Sequence, residues 1–190
     1  MESTFKQSDA GVIRIAIVGP ESSGKTTLIK ALAAHYKTTY AAEFMRTYFT
    51  EIAPRSPFRS YYKDLLPIAQ GQIKVENSAA AKANKLLFCD TNFLEIACYA
   101  NYYFDHCPTQ ILEASRQHAY NLTFLTYVDV PWEKDELRDR PNDRLKLFTI
   151  FEQALNEQHI PHTVLKGGHK DRLDKAVKTI DNYCRKLNGI

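Results

Sequence analysis

The chain has 190 residues, 44% hydrophobic and 25% charged, the composition of a globular domain large enough to bury its own core. Its formal net charge of +3 suits a polyanionic small ligand and is too small to argue for nucleic-acid binding. The apolar run at 12–18 is far shorter than the ~20 residues that cross a bilayer, and Cys89, Cys98, Cys107 and Cys184 form no C-x-x-C pair. This argues against a membrane span, a zinc knuckle and a dithiol redox centre, and a soluble cytoplasmic protein with reduced thiols is expected.

Residues 1–10 are polar and are expected to form a flexible arm ahead of a single domain at 11–190. Residues 12–18 (VIRIAIV) are rich in β-branched side chains and stop at Gly19, which predicts a buried strand. Leu28, Ile29, Leu32 and Ala33 form a helical stripe over 25–36. A short strand is expected over 38–42 and a helix over 44–52, followed by a turn at 53–58. A long helix follows, from Leu65 or Ile68 to Asn84, and then a strand at 86–90 that ends in an acid. Helices are expected at 93–104 and 110–118, a strand at 122–130, a helix at 145–159, a strand at 162–165 and a closing helix at 170–187. His159 and His162 flank a proline with no acidic companion and read as a solvated turn. Strands alternating with helices specify an α/β domain, with a mainly parallel sheet covered on both faces.

The strongest motif is Gly19-Pro20-Glu21-Ser22-Ser23-Gly24-Lys25-Thr26, which matches G-x-x-x-x-G-K-[ST] in full. It has the required context, a strand before it and a helix after it. The glycines let the backbone curl so that successive N–H groups point at phosphate oxygens. The helix N-terminus adds positive partial charge at the same place. Lys25 is expected on the β- and γ-phosphates of ATP and Thr26 on Mg²⁺, with Thr27 completing the loop.

Asp90 closes an apolar strand, and parallel sheets bind ligands outside such strand ends. It is a candidate for the Mg²⁺ shell; the alternative is a cap for the helix beginning at Phe93. Glu43 follows the second strand, with Arg46 one helical turn on. Glu43 fits a base that accepts a hydroxyl proton, or equally one half of an ordinary Glu–Arg pair. Residues 132–144 carry Arg138, Arg140 and Arg144 among acids. Such a segment can close over phosphates as an arginine-bearing lid, or remain a solvated, salt-bridged loop.

Four segments together resemble the ribosylnicotinamide kinase domains of the bacterial NadR family and related AAA-type ATPases. They are GPESSGKTT at 19–27, AEFMRTY at 42–48, FCDTNF at 88–93 and WEKDELR at 132–138. The resemblance implies a P-loop NTPase fold of nucleoside-kinase type with a five-stranded sheet. It also implies ATP- and Mg²⁺-dependent phosphorylation of the 5′-hydroxyl of nicotinamide riboside, giving nicotinamide mononucleotide. On the same basis Glu43 and Arg46 are acceptor-site residues, Asp90 lies near Mg²⁺ and Arg138 belongs to a lid. The family usually carries Trp where this chain has Ala42; Tyr40, Phe44 and Tyr48 are the nearby aromatic side chains that can replace it. Two alternatives stay open: a kinase for another nucleoside, and a regulatory or assembly ATPase without a small acceptor, which a closed surface beside Glu43 and Arg46 would favour. The expected partner is a small nucleoside, with neither nucleic acid nor membrane; monomer and homo-oligomer are both compatible with the sequence.

Overall fold

The computed structural model describes residues 5–54, 61–135, 138 and 140–187. Five strands form one sheet in the order β2-β3-β1-β4-β5, every neighbouring pair parallel. They are β1 (Ile13–Val18), β2 (Tyr40–Ala41), β3 (Leu86–Asp90), β4 (Leu122–Thr126) and β5 (Thr163–Leu165). Helices α1 (Lys25–His35), α2 (Phe44–Thr47), α3 (Leu65–Ala80), α4 (Phe93–Phe104), α5 (Thr109–Gln117), α6 (Arg144–Glu157) and α7 (His169–Leu187) supply the crossovers.

The central strands are buried on both faces, which is why they read as continuous apolar runs. Ile15, Ile17, Phe88 and Phe124 face one layer, with Leu28, Ile29 and Leu32 of α1 and Ala176 and Ile180 of α7. Ala16, Val18 and Leu125 face the other, with Leu94 and Cys98 of α4 and Leu147, Phe148 and Phe151 of α6. All four cysteines are free thiols. Among the described residues no helix is long and apolar enough to cross a membrane.

Several boundaries are shorter than the sequence pattern suggests, for local reasons. Strand β2 keeps two residues because the Thr38 and Thr39 hydroxyls donate to the carbonyls of Leu86 and Ala79. Helix α3 stops at Ala80 rather than Asn84, where the Thr38 hydroxyl accepts the Asn84 N–H and turns the chain into β3. Strand β4 ends at Thr126 rather than Val130, because its neighbour β1 stops at Val18 and becomes the phosphate loop. The helix expected over 44–52 is one α-turn followed by a wider π-type turn at Tyr48–Ile52.

The expected flexible arm is corrected for residues 5–10. Phe5 is buried edge-on against Phe93, with ring centroids 5.2 Å apart, and its carbonyl bonds His118 Nε2 at 2.6 Å. Gln7 donates to Glu76, and the Ser8 N–H to Asn77, each at 2.8 Å. Met1–Thr4, Arg55–Phe58 of the expected turn, and Glu136, Leu137 and Asp139 of the expected lid lie outside the described residues.

Candidate active site

The phosphate loop links the carboxyl end of β1 to α1, and the sheet holds it closely. Gly19 has φ +148°, and a Cβ there would lie 2.3 Å from Thr126 Oγ1, so only glycine lets the loop pass β4. The Ser23 hydroxyl bonds the Pro20 carbonyl at 2.6 Å and Thr126 Oγ1 at 2.7 Å, closing the loop on itself and on β4. Helix α1 has no side-chain cap at Gly24 and no acid in its first turn. Its leading N–H groups lack intrahelical acceptors and suit an anion.

Lys25 Nζ donates to the Gly19 carbonyl at 2.5 Å and the Pro20 carbonyl at 3.2 Å, and pairs with Glu95 at 3.1 Å. Burial opposes its charge, but Glu95, Asp90 and Glu43 together outweigh that and hold its pKa above the ordinary lysine value. Glu95 also accepts the Gly19 N–H at 3.2 Å. Burial is the main force lifting its carboxyl to about 7, with Lys25 opposing and Glu43 and Asp90 adding.

Thr26 donates to Asp90 Oδ2 at 2.6 Å, which joins the hydroxyl of the loop to the acid at the end of β3. The other oxygen, Asp90 Oδ1, is buried with no hydrogen-bond partner. A hydroxyl beside a carboxylate with a spare buried oxygen is a fitting donor set for Mg²⁺. Among the described residues no three His, Cys, Asp or Glu side chains converge on a metal position. An ion there would draw the rest of its shell from phosphate and water. Asp90 does not cap α4; the Asn92 side chain does, accepting the Glu95 N–H at 3.0 Å.

The loop, Lys25, Thr26 and Glu95 open onto a cavity of about 690 Å³ at the carboxyl edge of the sheet, and Asp90 is joined to it through the Thr26 hydroxyl. Glu21 through Leu28 line it on the loop side, Glu43 and Arg46 on the α2 side, and Arg138 and Arg140 on the side of the arginine-rich segment. Glu43 is the N-terminal boundary residue of α2. Burial, then Asp90, raises its pKa, while Lys25, Arg46 and Arg138 oppose the rise.

The arginine-rich segment is fastened to the loop. The Glu133 N–H donates to the Ser22 hydroxyl at 2.8 Å, the Arg140 N–H to Glu21 at 2.7 Å, and Arg144 to the Ser22 carbonyl at 3.2 Å. Arg138 donates to the Glu133 carbonyl at 2.7 Å, and Arg46 pairs with Asp135 at 3.2 Å, at a more exposed position.

Tyr48 departs from its expected place at the acceptor. It is buried, donates to Asp64 Oδ1 at 3.1 Å and packs against Phe49, outside the cavity lining. Tyr48 stands five residues after Glu43, about 140° round a regular helix, and so faces away from it. Tyr40 and Phe44 are also absent from the lining; the aromatic wall comes from Tyr99, Tyr103 and Phe104 of α4. Other site residues escaped the motif reading. Glu95 and Tyr99 lie within the largely apolar helix α4, and Tyr99 accepts the Glu21 N–H at 3.0 Å. Arg172 of α7, only 2% exposed, donates to the carbonyls of Ser23, Tyr127 and Gly167 and pairs with Asp129. Arg172 lies 149 residues from Ser23, so no local spacing announces the contact.

A phosphate loop opening onto a cavity at the carboxyl edge of a five-stranded parallel sheet is the plan of the P-loop kinases, and this chain is built on it. Residues 14–172 match the AAA domain model, and the chain belongs to that family. It is 29% identical over 159 residues to the trifunctional NAD biosynthesis/regulator protein NadR of Salmonella typhimurium (strain LT2), a match covering 83% of this chain and 39% of the relative. The chain thus spans about two fifths of the length of that curated relative. A crystal structure of NadR protein in complex with NR superposes with a TM-score of 0.77 at 19% identity, covering 91% of this chain and 51% of that one. Thymidylate kinase from Ehrlichia chaffeensis superposes with a TM-score of 0.62 at 15% identity, covering 90% of this chain and 99% of the kinase.

Proposed function

We propose that this chain transfers the γ-phosphoryl group of ATP to the 5′-hydroxyl of a nucleoside, nicotinamide riboside first among the candidates. The observation that carries this reading is that one cavity is lined by the phosphate loop, by Thr26, whose hydroxyl bonds Asp90, and by the acid Glu43. A closed surface beside Glu43 and Arg46 would have favoured a regulatory ATPase, and the cavity instead reaches both. Similarity to NadR, and the superposition on NadR protein in complex with NR, support the choice of acceptor. A further NadR structure, in complex with NAD and AMP-PNP, superposes with a TM-score of 0.78 at 18% identity, covering 91% of this chain and 50% of that one, and supports ATP as the donor.

In this reading the loop amides and Lys25 hold the triphosphate. Thr26 and Asp90 would hold magnesium, which when bound would offset the negative charge that develops during transfer. Glu43, its pKa raised by burial, accepts the hydroxyl proton as the new P–O bond forms. Arg46 orients the acceptor. Arg138 and Arg140, on a lid at 132–144, add positive charge at the transferring group and exclude water. Tyr99, Tyr103 and Phe104 offer the flat apolar surface on which a base or pyridinium ring packs. Four free thiols agree with a reducing, cytoplasmic setting.

The test is a phosphorylation screen with ATP, magnesium, nicotinamide riboside and a panel of common nucleosides, read by mass. Nicotinamide mononucleotide and ADP are the expected products. Glu43→Gln should lose about 100-fold or more in turnover while still binding ATP. No phosphorylated nucleoside from any acceptor, with ATP bound normally, would overturn the reading.

A further inference from the structure

Gln72 lies midway along α3, has no charge and belongs to no motif, yet it is 1% exposed and lines the cavity. Its side-chain amide makes three long-range bonds. The oxygen accepts the Phe44 N–H at 2.7 Å, and the nitrogen donates to the Ala42 carbonyl and to the Asp90 carbonyl, each at 3.3 Å. Ala42 and Phe44 are the residues on either side of Glu43. One planar amide thus grips the backbone before and after Glu43 and ties both to the backbone of Asp90. The residue beside it strengthens the dock: Gly71 receives the Phe44 ring so closely that a Cβ there would lie 1.8 Å from it.

We propose that Gln72 is a positioning residue that sets the spacing between the Glu43 carboxylate, on the acceptor side, and the Asp90 carboxylate, on the metal side. The idea rests on the kinase reading above and extends it to a residue outside the motifs, acting through Glu43 and Asp90. The bonded strand pair cannot fix this spacing alone. Strand β2 pairs with β3 only through Tyr40 and Ala41, so the ladder ends two residues before Glu43. Gln72 continues that connection with side-chain bonds where backbone pairing has run out. A buried amide satisfied on both its oxygen and its nitrogen is rigid, and misplacing reacting groups by about 1 Å costs on the order of 100-fold in rate.

The experiment is a double-mutant cycle of Gln72→Leu with Glu43→Gln, with amide exchange measured alongside. Gln72→Leu should lower kcat for the acceptor by about 10- to 100-fold, with KM for MgATP within about threefold of wild type, because the phosphate loop is untouched. In the Glu43→Gln background the same change should cost less than about threefold, since the group it positions no longer acts. The Phe44 amide should exchange at least about tenfold faster in the variant, having lost its acceptor. Gln72→Glu, which keeps the Phe44 bond and loses both donor bonds, runs the same cycle if the leucine variant folds poorly. Equal losses in both Glu43 backgrounds, or wild-type turnover in Gln72→Leu, would reduce Gln72 to a packing residue. The exchange arm needs no turnover: an inactive wild type with faster Phe44 exchange in the variant sinks the kinase reading and leaves the clamp standing, while unchanged Phe44 exchange sinks the clamp.

Discussion

Lys25 sits among three carboxyl groups, the buried Asp90 and Glu95 and the half-buried Glu43, and holding acids this far out of water carries a cost. Glu95 states the cost most clearly. Its folded-state value of about 7 stands above the ordinary 4.5, chiefly through burial. The folded protein therefore keeps a proton that the unfolded chain releases. Stability from this group is complete below about pH 4.5 and is lost as the pH rises through about 7. Glu95→Gln removes that loss. Thermal unfolding of Glu95→Gln should fall less than that of wild type between roughly pH 5 and pH 8. Parallel melting curves for the two proteins across that range would show that Glu95 does not titrate there. Lys25→Ala should push Glu95 higher still, because it removes the charge opposing the rise, and phosphoryl transfer should fall by about 100-fold or more.

At the scale of the element, the placement of α2 decides where Glu43 points. This helix has one turn, too short to be stable alone, and is held by what it touches. Phe44 lies against Gly71 of α3, where a Cβ would meet three ring atoms at 1.8 to 2.3 Å. Gly71→Ala gains about 1 kcal/mol in helix propensity. Overpacking at such contact costs about 1–3 kcal/mol and displaces the ring, so the net effect is expected to be destabilising. The acceptor step should suffer most, with MgATP binding little changed. Shortening the ring by Phe44→Leu in the same chain should restore part of the loss, as denaturant unfolding and acceptor kinetics would reveal. A Gly71→Ala protein more stable than wild type and fully active would mean that α2 moves freely.

Across the whole molecule, the site is assembled from parts distant in the chain. β1, α1, α2, β3, α4 and α7 each contribute, and Arg172 braces the loop from the far end of the domain. A ligand bridging so many elements should stabilise all of them together. MgATP at about 100 times its Kd should add about 2.7 kcal/mol, or about 5–10 °C in Tm for a domain of this size. With a chelator present the shift should shrink, since the Thr26–Asp90 pair then has no ion to hold. A shift indifferent to magnesium, followed by calorimetry, would remove that pair from nucleotide binding.

The phosphate loop was legible in the sequence because its signal is local: a β-branched run, two glycines at a set spacing, then a helical stripe. Helix α4 matched at both ends for the same reason, with Asn92 capping its start and an apolar pattern running to Phe104. The sequence by itself thus determined the class of fold, the strand–loop–helix of the glycine-rich motif and the placing of acids after the second strand and at the end of the third. Tertiary structure alone decided that Phe5 is packed, that Tyr48 turns away to Asp64, that α4 supplies the aromatic wall, and that Glu95, Gln72 and Arg172 line the cavity. These last three are polar side chains on helices, where a buried partner and a solvated one look alike in sequence. Only the crossing of strands that are far apart in the chain gives each one its partner.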